Sequence, residues 1–330
     1  MKVLFIGGTG IISSASVRLA LSRGIELTLL NRGQSASRPA PAGARVIHAD
    51  LRDKEATRRA LGDEHFDAVV NWIAFTPEHV QQDIDLFRGR TGQYVFISSA
   101  SAYQTPPLNL PVTESAPLRN PHWQYSRDKI ACEDLLVAAY RREGFPATIV
   151  RPSHTYDATL LPFDGGYAVL KRMLEGRPVI VHGDGTSLWT LTHNTDFAVG
   201  FVGLLGNPRA IGDAFQITSD ESLSWNQIFD MVAHAAGVEA KKVHVPSTLI
   251  AAYNPDWGAG LLGDKSHSMV FDNTKIKRVV PDYHCVTPFA RGAVEIADWY
   301  RAHPEAHTVD PAFEAAYERI LSAYSRALPA

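Results

Sequence analysis

The chain has 330 residues, with 32 lysines and arginines against 35 aspartates and glutamates, a formal charge of −3, 45% hydrophobic residues and 20% charged ones. These proportions exclude a disordered or collagen-like chain, and the length suits about two domains with a core that needs no disulfide staples. The balanced charge gives the whole chain no electrostatic reason to bind nucleic acid or an anionic membrane.

The first expected strand, Val3 to Ile6, is too short for a secretory leader, and no stretch approaches the roughly 18 apolar residues of a membrane span. A soluble, cytoplasmic protein is expected. The strand runs into Gly7-Gly8-Thr9-Gly10-Ile11-Ile12-Ser13, after which Ile12, Ala15 and Leu19 recur at helical spacing. A glycine-rich turn between strand and helix suits a dinucleotide pyrophosphate: glycines admit the anion close to the backbone, and helix N-terminal amides carry roughly +0.5 of partial charge. Gly7, Thr9, Gly10, Ile11 and Ile12 are therefore expected to hold the cofactor. Ser13 stands where a third spaced glycine would complete the pattern.

The second strand, Glu26 to Leu30, leads to Asn31-Arg32, where a carboxylate would otherwise accept the ribose hydroxyls of NAD. A neutral amide beside an arginine attracts a 2′-phosphate, which tips the expectation for an NAD(P) cofactor toward NADP. The alternative is a solvated Arg32 and an Asn31 that bonds the ribose. Ser35 to Gly43 suits an exposed loop, and after the third strand, Arg45 to His48, Asp50 and Leu51 are placed at the adenine end. The fourth strand is expected over Ala68 to Ile73, with Ala74 beside the cofactor, and the fifth over Tyr94 to Ser98.

Hydroxyls at Ser99 and Ser101 end the fifth strand. Downstream, Tyr125 and Lys129 lie four residues apart, on one helical face. Lowering a phenol from about 10 to neutrality takes roughly 4 kcal/mol, and a cation about 4 Å away supplies that amount at an effective dielectric of about 20. The helix continues through Ala131, Leu135 and Ala138, an apolar pattern that suits either the core or a homodimer contact. A sixth strand is expected over Thr148 to Arg151.

Beyond Arg151-Pro152 the pattern loosens at Pro162, Gly165-Gly166, Pro178 and Gly183-Asp184-Gly185. The expected architecture is α/β: a Rossmann-like, doubly wound parallel sheet over residues 1–160, and a smaller substrate-binding domain over 161–330. The second is partly interleaved with the first through a returning strand near 213–218. Cys132 and Cys285 suggest neither a zinc site nor a disulfide framework, and His182, His193, His234 and His244 show no metal-ligand spacing, so no metal is expected.

The turn at Gly7 to Gly10, Asp50, Ser99, Tyr125, Lys129, Arg151-Pro152 and Gly183-Asp184-Gly185 together resemble the extended short-chain dehydrogenase/reductases of the nucleotide-sugar epimerase/dehydratase family, nearly end to end. Thr192-His193 and Asp196 are similar to that family's following helix start. The resemblance implies that Ser99 orients substrate, that Tyr125 is the acid/base, and that Lys129 lowers its pKa and binds the cofactor ribose. It implies cofactor contacts at Pro152 and Ser153, substrate contacts at Ser101 and at His154, which stands where many members have an asparagine, and a homodimer.

Ala100-Ser101 follow the catalytic hydroxyl where the family's 4,6-dehydratases carry an Asp-Glu pair, its decarboxylases a glutamate and its 3,5-epimerases a cysteine nearby. That leaves 4-epimerisation or simple alcohol/ketone oxidoreduction of a sugar-like secondary alcohol. Where many members present an arginine to a nucleotide diphosphate, this chain has Trp189, which suits a sugar face or the core, so an unmodified sugar becomes plausible. The alternative function is a non-catalytic dinucleotide sensor or RNA-associated protein of the same fold. A sensor need not retain Ser99, Tyr125 and Lys129, and no basic stripe invites nucleic acid.

Overall fold

A computed structural model describes residues 1–33 and 38–327. The short apolar runs of the first half become strands buried on both faces, as a helix-covered parallel sheet demands. They are β1 (Lys2–Ile6), β2 (Glu26–Asn31), β3 (Arg45–His48), β4 (Ala68–Asn71), β5 (Tyr94–Ile97) and β6 (Ala147–Pro152). With the strand Ala214–Ile217 they form a seven-stranded parallel sheet in the order Ala214–Ile217, β6, β5, β4, β1, β2, β3. The order reverses between β1 and β4, which opens a crevice at the strand carboxyl ends, where such sheets bind ligands.

Helix α1 (Ile11–Ser22) packs with Asn194–Leu204 on one face of the sheet, burying Val17, Phe197 and Phe201. Helices α2 (Lys54–Leu61), α3 (Pro77–Phe87) and α4 (Gln124–Glu143) cover the other, where Val80, Ile84, Cys132 and Leu136 share a core. The remaining core gathers around the paired strands Pro178–His182 and Lys241–Val245, with helices Trp225–Ala235, Phe289–Ala302 and Pro311–Ala327. Arg172, 2% exposed, holds the last helix through Glu314 and Glu318.

Two expectations require correction. The fourth strand ends at Asn71, two residues early, because the Asn71 Oδ1 accepts the Ile73 N–H at 2.8 Å and turns the chain. The buried side of α4 carries Lys129, Cys132, Glu133, Leu136 and Ala139, one position on from Ala131, Leu135 and Ala138, which are half-buried, so of the two readings of that stripe the core one holds only at its edge, where Leu135 packs. Polar residues can face inward there because they have partners: Glu133 accepts Arg151 Nε at 3.0 Å and the Ser98 hydroxyl. Of the expected loop Ser35 to Gly43, residues Ser35, Ala36 and Ser37 lie outside the described residues. Among those described, no helix is long and apolar enough to cross a membrane, and no group of three His, Cys, Asp or Glu is placed to hold a metal.

Candidate active site

The glycine turn sits at the carboxyl end of β1. Gly7 and Gly8 have φ of +94° and +111°, and a Cβ on Gly8 would lie 3.0 Å from Leu29 Cδ2 and 3.4 Å from Val17 Cγ2, so the turn requires glycine. Gly10 is the N-cap of α1, and Ile11 and Ile12 open its first turn, whose amides have no carbonyl one turn back. Ser13, in the place of the third spaced glycine, caps the turn: its Oγ accepts the Gly10 N–H at 2.8 Å. Asn194 braces the same turn by donating to the Ile11 carbonyl at 2.8 Å.

A cleft of about 780 Å³ runs from this turn along the ends of β2 and β3, bordered by Gly7, Thr9, Asn31, Arg32, Asp50 and Leu51. These are six of the expected cofactor positions. Asn31 Oδ1 accepts the Gly33 N–H at 2.9 Å, so the amide keeps its N–H groups and one acceptor site for a ligand. Arg32 and Arg52 also line the cleft and make no ion pair among the described residues. Arg38 lines it too, but pairs with Asp157 at 3.0 Å. Asp50 Oδ1 is held by the Arg52 N–H at 3.0 Å.

A second cavity, of about 250 Å³, brings together Ser99, Ser101, Tyr125, His154 and Trp189. Pro152 and Ser153, expected at the cofactor, also line this pocket. Ser101 does not offer a free hydroxyl: its Oγ lies 2.9 Å from Ser99 Oγ and accepts from Ser126 Oγ at 2.8 Å, so it holds Ser99 in place. Lys129 lies beneath, 2% exposed, its Nζ donating to the carbonyls of Ala74 at 2.7 Å and Ile97 at 2.8 Å. Ala74 thus serves the site through its backbone. A third N–H of the ammonium remains.

The expected lowering of the phenol is not met in the protein alone. Burial pushes Tyr125 up to about 12, opposed in part by the Ser99 hydroxyl and reinforced by the Asp264 carboxylate. The ammonium is 5.6 Å from the Tyr125 ring centre and is itself drawn down to about 8 by burial. It is thus less firmly charged than the expectation assumed, and the carbonyls of Ala74 and Ile97 fix its place beneath the ring.

Burial lowers His154 to about 3, so it is a neutral imidazole, and its Nε2 and the Trp189 Nε1 are buried without a partner among the described residues. Trp189, 4% exposed, packs on Trp225 at 5.7 Å, as the core reading expects, and also lines the pocket. His182, His193 and His244 have hydrogen-bond partners.

Sequence reasoning missed three residues. Asp264 and Lys265 line the pocket from a π-helical turn, Leu261–Lys265, about 140 positions beyond Tyr125 and with no periodic signal. Asn120, 3% exposed, joins the parts: its Nδ2 donates to the carbonyls of Ser101 at 3.0 Å and Gly263 at 2.6 Å, and its Oδ1 accepts the N–H groups of His122 and Trp123 at the start of α4. An Asn-Pro pair at 120–121, a turn signal, was its only trace in the sequence.

Residues 3–218 match the NAD dependent epimerase/dehydratase family. The chain is 29% identical over 291 residues to 2′-dehydrokanamycin reductase of Streptomyces kanamyceticus, covering 86% of this chain and 80% of that one. It is 26% identical over 267 residues to the chloroplast stem-loop binding protein of 41 kDa b of Arabidopsis thaliana, covering 77% and 66%. The crystal structure of UDP-glucuronic acid 4-epimerase from Bacillus cereus, in complex with UDP-glucuronic acid and NAD, shares the fold with a TM-score of 0.73 at 19% identity, covering 92% of this chain and 99% of that one. The family match spans the parallel sheet from β1 to its last strand together with the Tyr125 helix, and the chain belongs to the NAD-dependent epimerase/dehydratase family.

Proposed function

We propose that this protein is an NADP-linked alcohol/ketone oxidoreductase acting on a sugar-like secondary alcohol that carries no nucleotide. The observation that carries this reading is the small pocket in which Ser99 and Tyr125 meet over the buried Lys129. The glycine cradle, which a Cβ on Gly8 would crowd, and the adjoining cleft fit a dinucleotide. When bound, the nicotinamide accepts or returns hydride at the carbinol carbon. Tyr125 Oη removes the hydroxyl proton in oxidation and returns it in reduction, Ser99 holds the same oxygen, and Lys129 keeps a cation near the phenol. Its remaining N–H suits a ribose hydroxyl.

The Arg32 guanidinium borders the cleft at the end of β2, where Asn31 puts no carboxylate, which supports a 2′-phosphate. A pocket of about 250 Å³, below the roughly 300–1,000 Å³ of drug-sized sites, supports a single ring over a nucleotide-sugar. The reductase relative, matched over most of both chains, supports net redox. Epimerisation is the second reading, favoured by relatives named UDP-glucose 4-epimerase. The test is to assay purified protein for retained nucleotide and to titrate NADP(H), NAD(H), UDP-sugars and free sugars. Free exchange of NADP(H) with turnover of a free sugar is expected; retained NAD with tight UDP-sugar binding overturns the proposal. The stem-loop binding relative keeps an RNA-associated role as an outcome to examine, by RNA gel shift.

A further inference from the structure

Resting on that reading and extending it to the substrate, we propose that Asp264 determines specificity by pairing its carboxylate with a protonated amino group on the sugar ring. Its carboxylate lines the same cavity as Ser99 and Tyr125, yet no hydrogen bond or ion pair reaches it among the described residues. An unpaired, half-buried carboxylate at the wall of a ligand cavity is available to a cationic group.

The turn that carries it is firmly held. The Gly263 carbonyl accepts from Asn120 and from Thr105 Oγ1 at 3.1 Å, and the Lys265 carbonyl from His182 Nε2 at 3.0 Å, Ser187 Oγ at 3.1 Å and Trp225 Nε1 at 3.1 Å. A Cβ on Gly263 would lie 2.9 Å from both Asn120 Oδ1 and Trp123 Cβ, so the backbone is packed directly against the start of the Tyr125 helix. π-helical turns of this kind concentrate at functional sites. Asn120 thereby fixes Asp264 relative to Ser101 and Tyr125, which is the pre-organisation that recognition requires.

The adjacent cation does not serve as partner. Lys265 Nζ lies 5.8 Å from the Trp123 ring centre and forms no salt bridge with Asp264. The aromatic side chains of Trp123, Tyr125, Trp189 and Phe271 also border the cavity, and ring faces favour a cation. A neutral hydroxyl there could donate one hydrogen bond to the carboxylate, whereas an ammonium would add opposite charge to it.

Burial and Asp164 push the Asp264 carboxyl up to about 7 against the pull of Lys265. Tyr125 and the neutral His154 are the other titratable groups bordering the cavity. An ammonium therefore binds best when the carboxyl is ionised, above that value.

The test is calorimetric binding to the NADP-loaded protein of 2-, 3- and 6-amino-deoxyglucose, each compared with glucose. At pH 8 at least one amine should bind roughly tenfold to a hundredfold more tightly, as a charge-assisted hydrogen bond allows. The advantage should shrink at pH 5.5. Asp264→Asn should abolish it while leaving NADP affinity unchanged and the protein folded at both pH values. Tyr125→Phe, which tests the reaction, should keep the amine preference, so binding specificity and turnover fail separately. No amine advantage in the wild type, or an advantage that survives in Asp264→Asn, overturns the proposal.

Discussion

Replacing Lys129 with methionine removes a cation 5.6 Å from the Tyr125 ring centre and two donors to the carbonyls of Ala74 and Ile97. A cation about 5–6 Å from a phenolate stabilises it by roughly 3 kcal/mol at an effective dielectric of about 20, equivalent to about two pKa units, as long as the ammonium keeps its proton, below about 8. In Lys129→Met alcohol oxidation should therefore fall roughly a hundredfold at pH 7, and the deficit should shrink above about pH 8, where the wild-type lysine is neutral. A pH profile of kcat/KM reads this directly, and Lys129→Arg should retain part of the rate. The lysine also has a stability signature. Its pKa is drawn from 10.5 to about 8 on folding, so the unfolded chain binds more protons between these values. The cost of its buried charge is fully present below about 8 and is relieved as pH rises toward 10.5; the wild type should gain stability across that window relative to Lys129→Met. A deficit of the same size at pH 7 and at pH 10 would refute the electrostatic role.

Other outcomes follow from the same geometry. Arg32→Ala should weaken NADP roughly fivefold to a hundredfold while leaving NAD nearly unchanged, as fluorescence titration would reveal; equal losses for both cofactors would remove the argument for a 2′-phosphate contact. Asp83 is fully buried, bonded to Tyr94 and Asn71, and pushed up from 3.8 to about 7. Its folded state holds the proton more tightly, so stability falls as pH rises from about 4 to 7, by about 1.4 kcal/mol for each pH unit. Asp83→Asn should thus stabilise the protein more at pH 8 than at pH 5, by up to roughly 3 kcal/mol, which denaturant melts at the two pH values would read. Identical differences at both would contradict that assignment.

The sheet was legible because each strand is a short apolar run bounded by turn residues; the expected β2 and β3 agree with the structure to within a residue. The glycine turn was legible because its setting between strand and helix is local. Where polar residues go inward, the pattern failed: the face of α4 was misplaced because Lys129 and Glu133 are buried against carbonyls and Arg151, partners that spacing does not reveal. The pocket residues from β5, α4 and the stretch after β6 could be read together, since the parallel order brings successive strand ends to one edge. Asp264 could not. It arrives through a turn tied to the site by a Gly263 carbonyl that Asn120 and Thr105 hold, contacts made across more than 140 residues of chain.

The most direct test of the account is hydride transfer by Tyr125→Phe, followed in a stopped-flow instrument with NADP and a turned-over sugar alcohol. Loss of a positioned acid/base predicts a fall of roughly 10²–10⁴ in the transfer rate, with nucleotide affinity unchanged. Transfer at the wild-type rate, with nucleotide still bound, would contradict it.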